Sequence, residues 1–359
     1  MHHSLMRFTI ALVVTGAASV VAVHRPLHAQ DGIRFHSGVD LVNIVATVTD
    51  RAGRFVSGLT QRDFVVYEDD RIVDVSLFSA GRVPVSLGLV LDVSESMAGK
   101  KIANARGAIE RFLDQLGPDD EVFLYSFAGK IDLVQDWTTH RDDVRAGLQR
   151  LDAGGGTAMY DAVMEAVPMA QSGRNRKKAV VVISDGNDTN SRADIDDVRQ
   201  VVRATEVLIY AVGIDGQAEP VDRRRAPRIN FPRMPIPIPG PSRPRVPWPV
   251  MPQLASSVGS VGVTDSLNMS ALRELTDASG GRAEVVRRSR DLAPVTAAIA
   301  DELTKQYYLG YASPGSGDGR WHAIRVELSN RSLRVRARSG YTADVRGPEL
   351  TVQKLGNSR

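Results

Sequence analysis

The sequence predicts an α/β protein: a doubly wound, mostly parallel sheet inserted in a flanking β-sandwich that the two ends of the chain build together. Three observations carry this expectation. Apolar runs that end abruptly in polar residues recur, first at Leu87–Met97 (LGLVLDVSESM) and again at Val180–Asp188 (VVVISDGND), as strands buried on both faces of a parallel sheet do. Segments of helical periodicity alternate with these runs, the pattern of a doubly wound fold. The two ends of the chain show a period of two instead, the mark of strands with one wet face.

The chain opens with a stretch of a different kind. Arg7 precedes an uncharged run, Phe8 to Val23, and Leu27-His28-Ala29 supplies a small residue for cleavage. This reads as an export leader cut after Ala29, leaving a periplasmic or secreted protein with no membrane span after cleavage. Losing Arg7 and Arg25 takes the formal charge from +3 to +1, so no overall basicity points to nucleic acid. The chain has no cysteine, which excludes disulfides and thiolate chemistry. After the leader only His36, His140 and His322 remain, scattered, with no spacing that suggests zinc or a catalytic triad.

Residues 30–82 form the first half of the sandwich. Val39–Thr49, Phe64–Glu68 and Val73–Phe78 read as strands, separated by turn signals such as Asp50-Arg-Ala-Gly53. Residues 306–345 supply the second half through Gln306–Tyr311, His322–Leu328 and Ser332–Arg338. In the last two, Ile324, Val326, Leu328, Leu333, Val335 and Ala337 fall on one side, and the arginines fall on a face read as solvated. Between the flanks, residues 83–305 alternate strand and helix. Lys101–Leu116 places Ile102, Ala105, Ile109, Phe112, Leu113 and Leu116 on one stripe. Glu121–Phe127 and Lys130–Gln135 are paired strands, one of them an antiparallel edge. Helices follow at Arg141–Leu151, Met159–Ala170, Asp194–Thr205, Leu267–Ser279 and Asp291–Lys305, with strands at Val207–Gly213 and Ala283–Val286.

One insertion breaks this rhythm. Residues 217–253 hold 11 of the 18 prolines and seven arginines, which excludes helix or sheet interior and favours polyproline II or disorder. The non-regular stretch extends to residue 262. It is read as a spacer or as a second contact for a partner, with Trp248 as an anchor. Residues 346–359 are read as a disordered tail.

Chemistry concentrates where the first buried run ends. Asp92, Ser94 and Ser96 put a carboxylate and two hydroxyls at alternate positions, beyond the carboxyl end of a strand where open α/β sheets place ligands. Such hard oxygen donors suit Mg²⁺, Mn²⁺ or Ca²⁺. Asp and Ser are also ordinary helix caps, and the helix beginning near Lys100 needs one. Two further segments follow in order, Gly154–Asp161 (GGGTAMYD) and Ile183-Ser184-Asp185 at the end of the second run.

Together these segments resemble the metal-ion-dependent adhesion site of von Willebrand factor type A domains, a likeness covering Val83 to Gly310. The resemblance implies a divalent cation, Mg²⁺ first and Mn²⁺ or Ca²⁺ as alternatives, held by five residues. Ser94 and Ser96 would bind it directly, Thr157 in the ligand-bound state, and Asp92 and Asp185 largely through water. Glu95 is expected to face solvent, and Asp188 to form a turn. The wider chain is similar to exported bacterial VWFA-related proteins described from Acidobacteria, through VDLVNIVATVTDRAGRFVSGLTQRDFVVYEDD near the start and Tyr307-Tyr-Leu-Gly-Tyr311 with Gly340-Tyr341 near the end.

The function this implies is adhesion or protein binding rather than catalysis. A partner's Asp or Glu carboxylate completes the cation's shell. Two other readings remain open at this point: an assembly or co-chaperone subunit of a larger complex, and a metal-dependent hydrolase. Against the hydrolase, no His or Lys base lies within the three motifs.

Overall fold

In the computed structural model, residues 41–185, 188–214, 269–314 and 317–343 are described. The stretch read as a leader, His36, the Pro/Arg-rich segment and the stretch read as a disordered tail lie outside them. The chain begins with β1 (Leu41–Thr49), β2 (Phe64–Glu68), β3 (Arg71–Val73) and β4 (Val75–Ser79), then enters the α/β region with β5 (Val85–Asp92) and α1 (Lys100–Leu113). There follow β6 (Glu121–Phe127), β7 (Ile131–Thr138), α2 (Arg141–Gln149), α3 (Met159–Gln171), β8 (Lys177–Ser184), α4 (Ile195–Arg203) and β9 (Leu208–Ile214). After the insertion come α5 (Met269–Asp277), β10 (Ala283–Val286), α6 (Leu292–Lys305), β11 (Tyr307–Ala312), β12 (Trp321–Leu328), β13 (Arg334–Arg336) and β14 (Gly340–Thr342).

The central sheet runs β10-β9-β8-β5-β6-β7. All its pairings are parallel except that of β6 with β7, which makes β7 the expected antiparallel edge. Every residue of β5 and of β9 is buried, because helices cover both faces. Leu87, Leu89 and Leu91 pack with Ile109 and Phe112 of α1 and Ile299 of α6. On the other face Val90, Val180 and Val182 meet Val163 of α3, Val198 of α4 and Leu275 of α5. Burying a Leu or Val side chain stabilises by about 1.5–3 kcal/mol, so these continuous apolar runs set the strand positions. No helix of the described residues is long and apolar enough to cross a membrane.

The flanks interleave as expected. One antiparallel sheet is ordered β13-β1-β11-β4 and the other β14-β12-β2-β3, so each draws two strands from each end of the chain. Their shared core contains Ile44, Val48, Phe64, Val66, Tyr307, Leu309, Tyr311 and Ile324. Two expectations need correction. Residues 73–78 are not one strand: β3 closes a hairpin with β2 across Asp69 and Asp70, both at positive φ (48° and 63°) as a two-residue type I′ turn requires. The chain then crosses sheets, so that Leu77 packs towards the central core and Phe78 stacks on Tyr307.

The arginines of the last flank are not uniformly solvated either. Arg334 is exposed, but Arg338 is buried and Arg336 turns inward onto Glu302. Glu302 is 1% exposed, and a carboxylate so buried needs charged partners. Tyr210 donates to its Oε1 at 2.9 Å, Thr47 donates at 3.0 Å, and Arg282 Nε stands 3.0 Å from Oε2, off line for a hydrogen bond. This knot ties α6 to β1, β9 and β13.

Candidate metal centre

Parallel pairing of β5 with β8 sets Leu91 beside Ile183, so both strands end at one level. Asp92 is the last residue of β5, and Asp185 directly follows β8. The chain beyond Asp92 makes a short 3-10 turn, Glu95–Met97, before α1. The N-cap of α1 is Gly99 at φ 74°, without a side-chain cap. Asp92, Ser94 and Ser96 are therefore not caps of α1, which removes the plainer reading of the motif.

Asp92 is fully buried. Its Oδ1 accepts the Ser94 N–H at 2.8 Å, and its Oδ2 accepts the Ser184 hydroxyl at 2.5 Å. Burial raises its carboxyl, the hydrogen bonds from Ser184 and Ser94 oppose that rise, the charge of Asp185 adds to it, and together they leave it at about 6. Both donors are neutral, and no Lys or Arg pairs with Asp92 among the described residues. The Ser94 and Ser96 hydroxyls stand 3.0 Å apart, and Ser96 donates to Asp185 Oδ1 at 2.9 Å. Four of the five expected residues thus form one hydrogen-bonded chain.

Thr157 arrives on a separate loop bonded to the first. Gly154 donates to the Val93 carbonyl at 2.8 Å, and Glu95 donates to that of Gly155 at 3.0 Å. Gly155 sits at φ 86°, and a Cβ on Gly156 would come within 2.4 Å of Asn190 Oδ1. Gly155 needs glycine for its backbone conformation, whereas a side chain at Gly156 would require the Asn190 amide to move aside. The Thr157 carbonyl accepts from the amides of Thr189 and Asn190 at 2.8 and 2.9 Å, and its own N–H donates to Thr189 Oγ1 at 3.1 Å. Glu95 is exposed. Asp188 makes its turn with Ser191 and also receives the Tyr160 N–H at the start of α3.

The family comparison decides what this arrangement belongs to: residues 87–187 match the von Willebrand factor type A domain family. The chain carries a type A domain. In sequence, this domain is 28% identical over 136 residues to human inter-alpha-trypsin inhibitor heavy chain H4, covering 33% of this chain and 15% of that protein. It is 29% identical over 118 residues to an uncharacterised protein of Synechocystis, covering 32% and 28%. The chain therefore matches only about 15% of the length of the inter-alpha-trypsin inhibitor heavy chains. Among solved structures, a von Willebrand factor type A protein from Catenulispora acidiphila superposes with a TM-score of 0.44 at 12% identity, covering 87% of this chain and 75% of that one. BatB from Bacteroides thetaiotaomicron gives 0.43 at 22%, covering 62% and 98%.

The type A domain also contains a residue that motif reading missed. Lys101, in the first turn of α1, places its ammonium 2.6 Å from Asp185 Oδ2. Asp185 follows a strand 84 residues later in the chain, so only the fold reveals the pairing. The donor set fits a divalent cation on this structure's own terms: a buried carboxylate served by neutral donors, adjoining hydroxyls, and a second acid that already attracts a cation.

Proposed function

We propose that Asp92, Ser94, Ser96, Thr157 and Asp185 hold a divalent cation, Mg²⁺ by preference with Mn²⁺ or Ca²⁺ as alternatives, and that the type A domain is an exported protein-binding or adhesion module. The observation that carries this is Asp92, a fully buried carboxylate hydrogen-bonded, among the described residues, by Ser94 and Ser184 alone. Leaving a buried charge without a compensating one is costly, and a dication removes that cost. When bound, the cation supplies an open coordination position that a partner's Asp or Glu carboxylate fills through a charge-assisted contact.

The chain's own residues do the positioning. Asp92, held by Ser94 and Ser184, anchors the floor. Ser94 and Ser96 present hydroxyls, and the backbone bonds of the Gly154–Thr157 loop fix the approach of Thr157. Binding rather than catalysis follows because no histidine lies at this site among the described residues, and Lys101 is committed to Asp185. We place the type A domain at 83–305, between sandwich halves 30–82 and 306–345, with the Pro/Arg-rich segment 217–253 as a second contact. The leader and the mature module's place outside the cytoplasm belong to this proposal.

The test is binding of peptides that present Asp or Glu side chains to the immobilised protein, in Mg²⁺ and in EDTA. The proposal expects capture that needs both the metal and the carboxylate and that Thr157→Ala weakens. Capture that EDTA leaves unchanged contradicts it.

A further inference from the structure

A second cluster of metal-ligating side chains lies in the sandwich, in the sheet β14-β12-β2-β3 and outside the type A domain. His322 of β12 is buried, and its two ring nitrogens face carboxylates on opposite sides. Nδ1 stands 2.8 Å from Asp69 Oδ2 and 3.7 Å from Glu68 Oε1, while Nε2 stands 3.1 Å from Asp318 Oδ1. One ligand atom from each of Glu68, Asp69 and His322 falls within 4.8 Å of the others. The ring is fixed by stacking on Tyr341 at 5.3 Å.

Acids beside a histidine are commonly ion pairs, but Glu68 is more demanding. It is 2% exposed; Ser313 donates to its Oε1 at 2.8 Å and the Tyr311 and Tyr341 hydroxyls adjoin its carboxylate, yet its Oε2 has no partner in hydrogen-bond geometry among the described residues. Buried carboxylate oxygens are rarely left so. Charge points the same way. Three carboxylates around one imidazole carry a net −2 even with the ring protonated, whereas a dication on the neutral ring leaves −1. The layout also has the order of a built site. Two carboxylates converge on Nδ1, and a third holds the opposite N–H, the carboxylate–histidine–metal arrangement that orients ligating imidazoles.

We propose that Glu68, Asp69 and His322 Nδ1 bind a divalent transition-type cation, Zn²⁺ or Mn²⁺, with Asp318 as the positioning residue on Nε2. The mixed imidazole and carboxylate set separates this site from the all-oxygen site at Asp92. Ligand atoms about 2.0–2.2 Å from zinc stand roughly 3.3 Å apart in a tetrahedral shell. Glu68 is near that spacing, and half-exposed Asp69 has to retreat by a few tenths of an ångström. The ring proton on Nδ1 leaves to solvent as the metal enters, and the proton on Nε2 stays on the ring and is donated to Asp318 Oδ1. Because Asp69 and His322 are 253 residues apart, the metal staples the N-terminal half of the sandwich to the C-terminal half across the inserted domain.

The test is Zn²⁺ and Co²⁺ titration of the full chain carrying Asp92→Ala, which removes the type A site from the measurement. The proposal expects one equivalent bound, a Co²⁺ visible spectrum with a nitrogen ligand, and a rise in unfolding temperature with Zn²⁺. His322→Asn and Glu68→Gln abolish all three. Asp318→Asn weakens binding about 10–100-fold, the usual cost of losing such a partner. Asp69→Asn, on an exposed hairpin turn, serves as the ligand variant that leaves the fold intact. No uptake by the Asp92→Ala protein, or uptake that these substitutions leave unchanged, overturns the proposal and leaves the cluster an ion-paired imidazolium only.

Discussion

Two carboxylates of this chain are equally buried and opposite in purpose. Glu302, in the last turns of α6, meets the guanidiniums of Arg336 and Arg282, together with Tyr210 and Thr47. Asp92, at the end of β5, meets among the described residues a serine hydroxyl and a backbone amide and no basic side chain. The first is electrically complete and works as glue between the central sheet and the sandwich. The second has no cationic side chain paired with it among the described residues, which is why we propose a dication there. Burial alone therefore says little about a carboxylate's role; what decides is whether the fold supplies the opposite charge.

The largest test of this contrast is Glu302→Leu. Removing the acid leaves the Arg336 guanidinium without its carboxylate, while Arg282 keeps Glu284, and breaking a buried pair in this way costs about 3 kcal/mol, the lower end of the usual range. Chemical denaturation measures it, and a loss under about 1 kcal/mol, the level of an ordinary surface pair, means the knot is not structural. A cation makes the next test. Lys177 is 2% exposed, and its ammonium donates to the Leu303 carbonyl at the end of α6. Burial brings it down to about 8, with Asp120 raising it and Arg82 lowering it. Its folded value is below its unfolded value, so the unfolded chain holds more protons between about pH 8 and 10.5 and stability rises with pH across that window. The gain relative to Lys177→Met is roughly 3 kcal/mol, and equal pH slopes for the two proteins contradict this.

Asp92→Asn probes the other side. Without metal it changes stability by no more than about 1 kcal/mol at pH 7, or raises it, because it removes a charge that burial opposes. A loss comparable to that of Glu302→Leu erases the contrast. The smallest effect belongs to Lys101→Met. Removing the ammonium from Asp185 weakens a partly exposed pair worth about 0.5–1 kcal/mol and lifts a repulsion on the incoming cation. Mg²⁺ affinity then rises about 2–5-fold by the same energy, as seen by calorimetric titration, and weaker binding contradicts the competing role given to Lys101.

The same contrast explains what sequence could reveal. The convergence of the candidate residues around Asp92 is legible because they lie within short segments that each end a buried strand or open a helix. The central sheet is legible for a related reason, since β5 and β8 must read as unbroken apolar runs. Glu302 is not legible. Thr47 lies 255 residues from it and Tyr210 92, and Arg336 sits in an alternating strand that looks solvated until α6 is placed beneath it. His322 is hidden in the same way, as a lone histidine whose acidic neighbours Glu68 and Asp69 come from the other end of the chain. The break between β3 and β4 is illegible because residues 73–78 satisfy one strand's alternation, while the Asp69-Asp70 turn and the pull of two separate cores divide them.

Calorimetric titration of Mn²⁺ into two proteins that differ only by Asp92→Asn, both carrying His322→Asn to silence the sandwich cluster, tests the claim about Asp92 most directly. One equivalent bound by the protein that keeps Asp92, and none by the Asp92→Asn variant, is the predicted result. Equal binding by both proteins, or none by either, contradicts it.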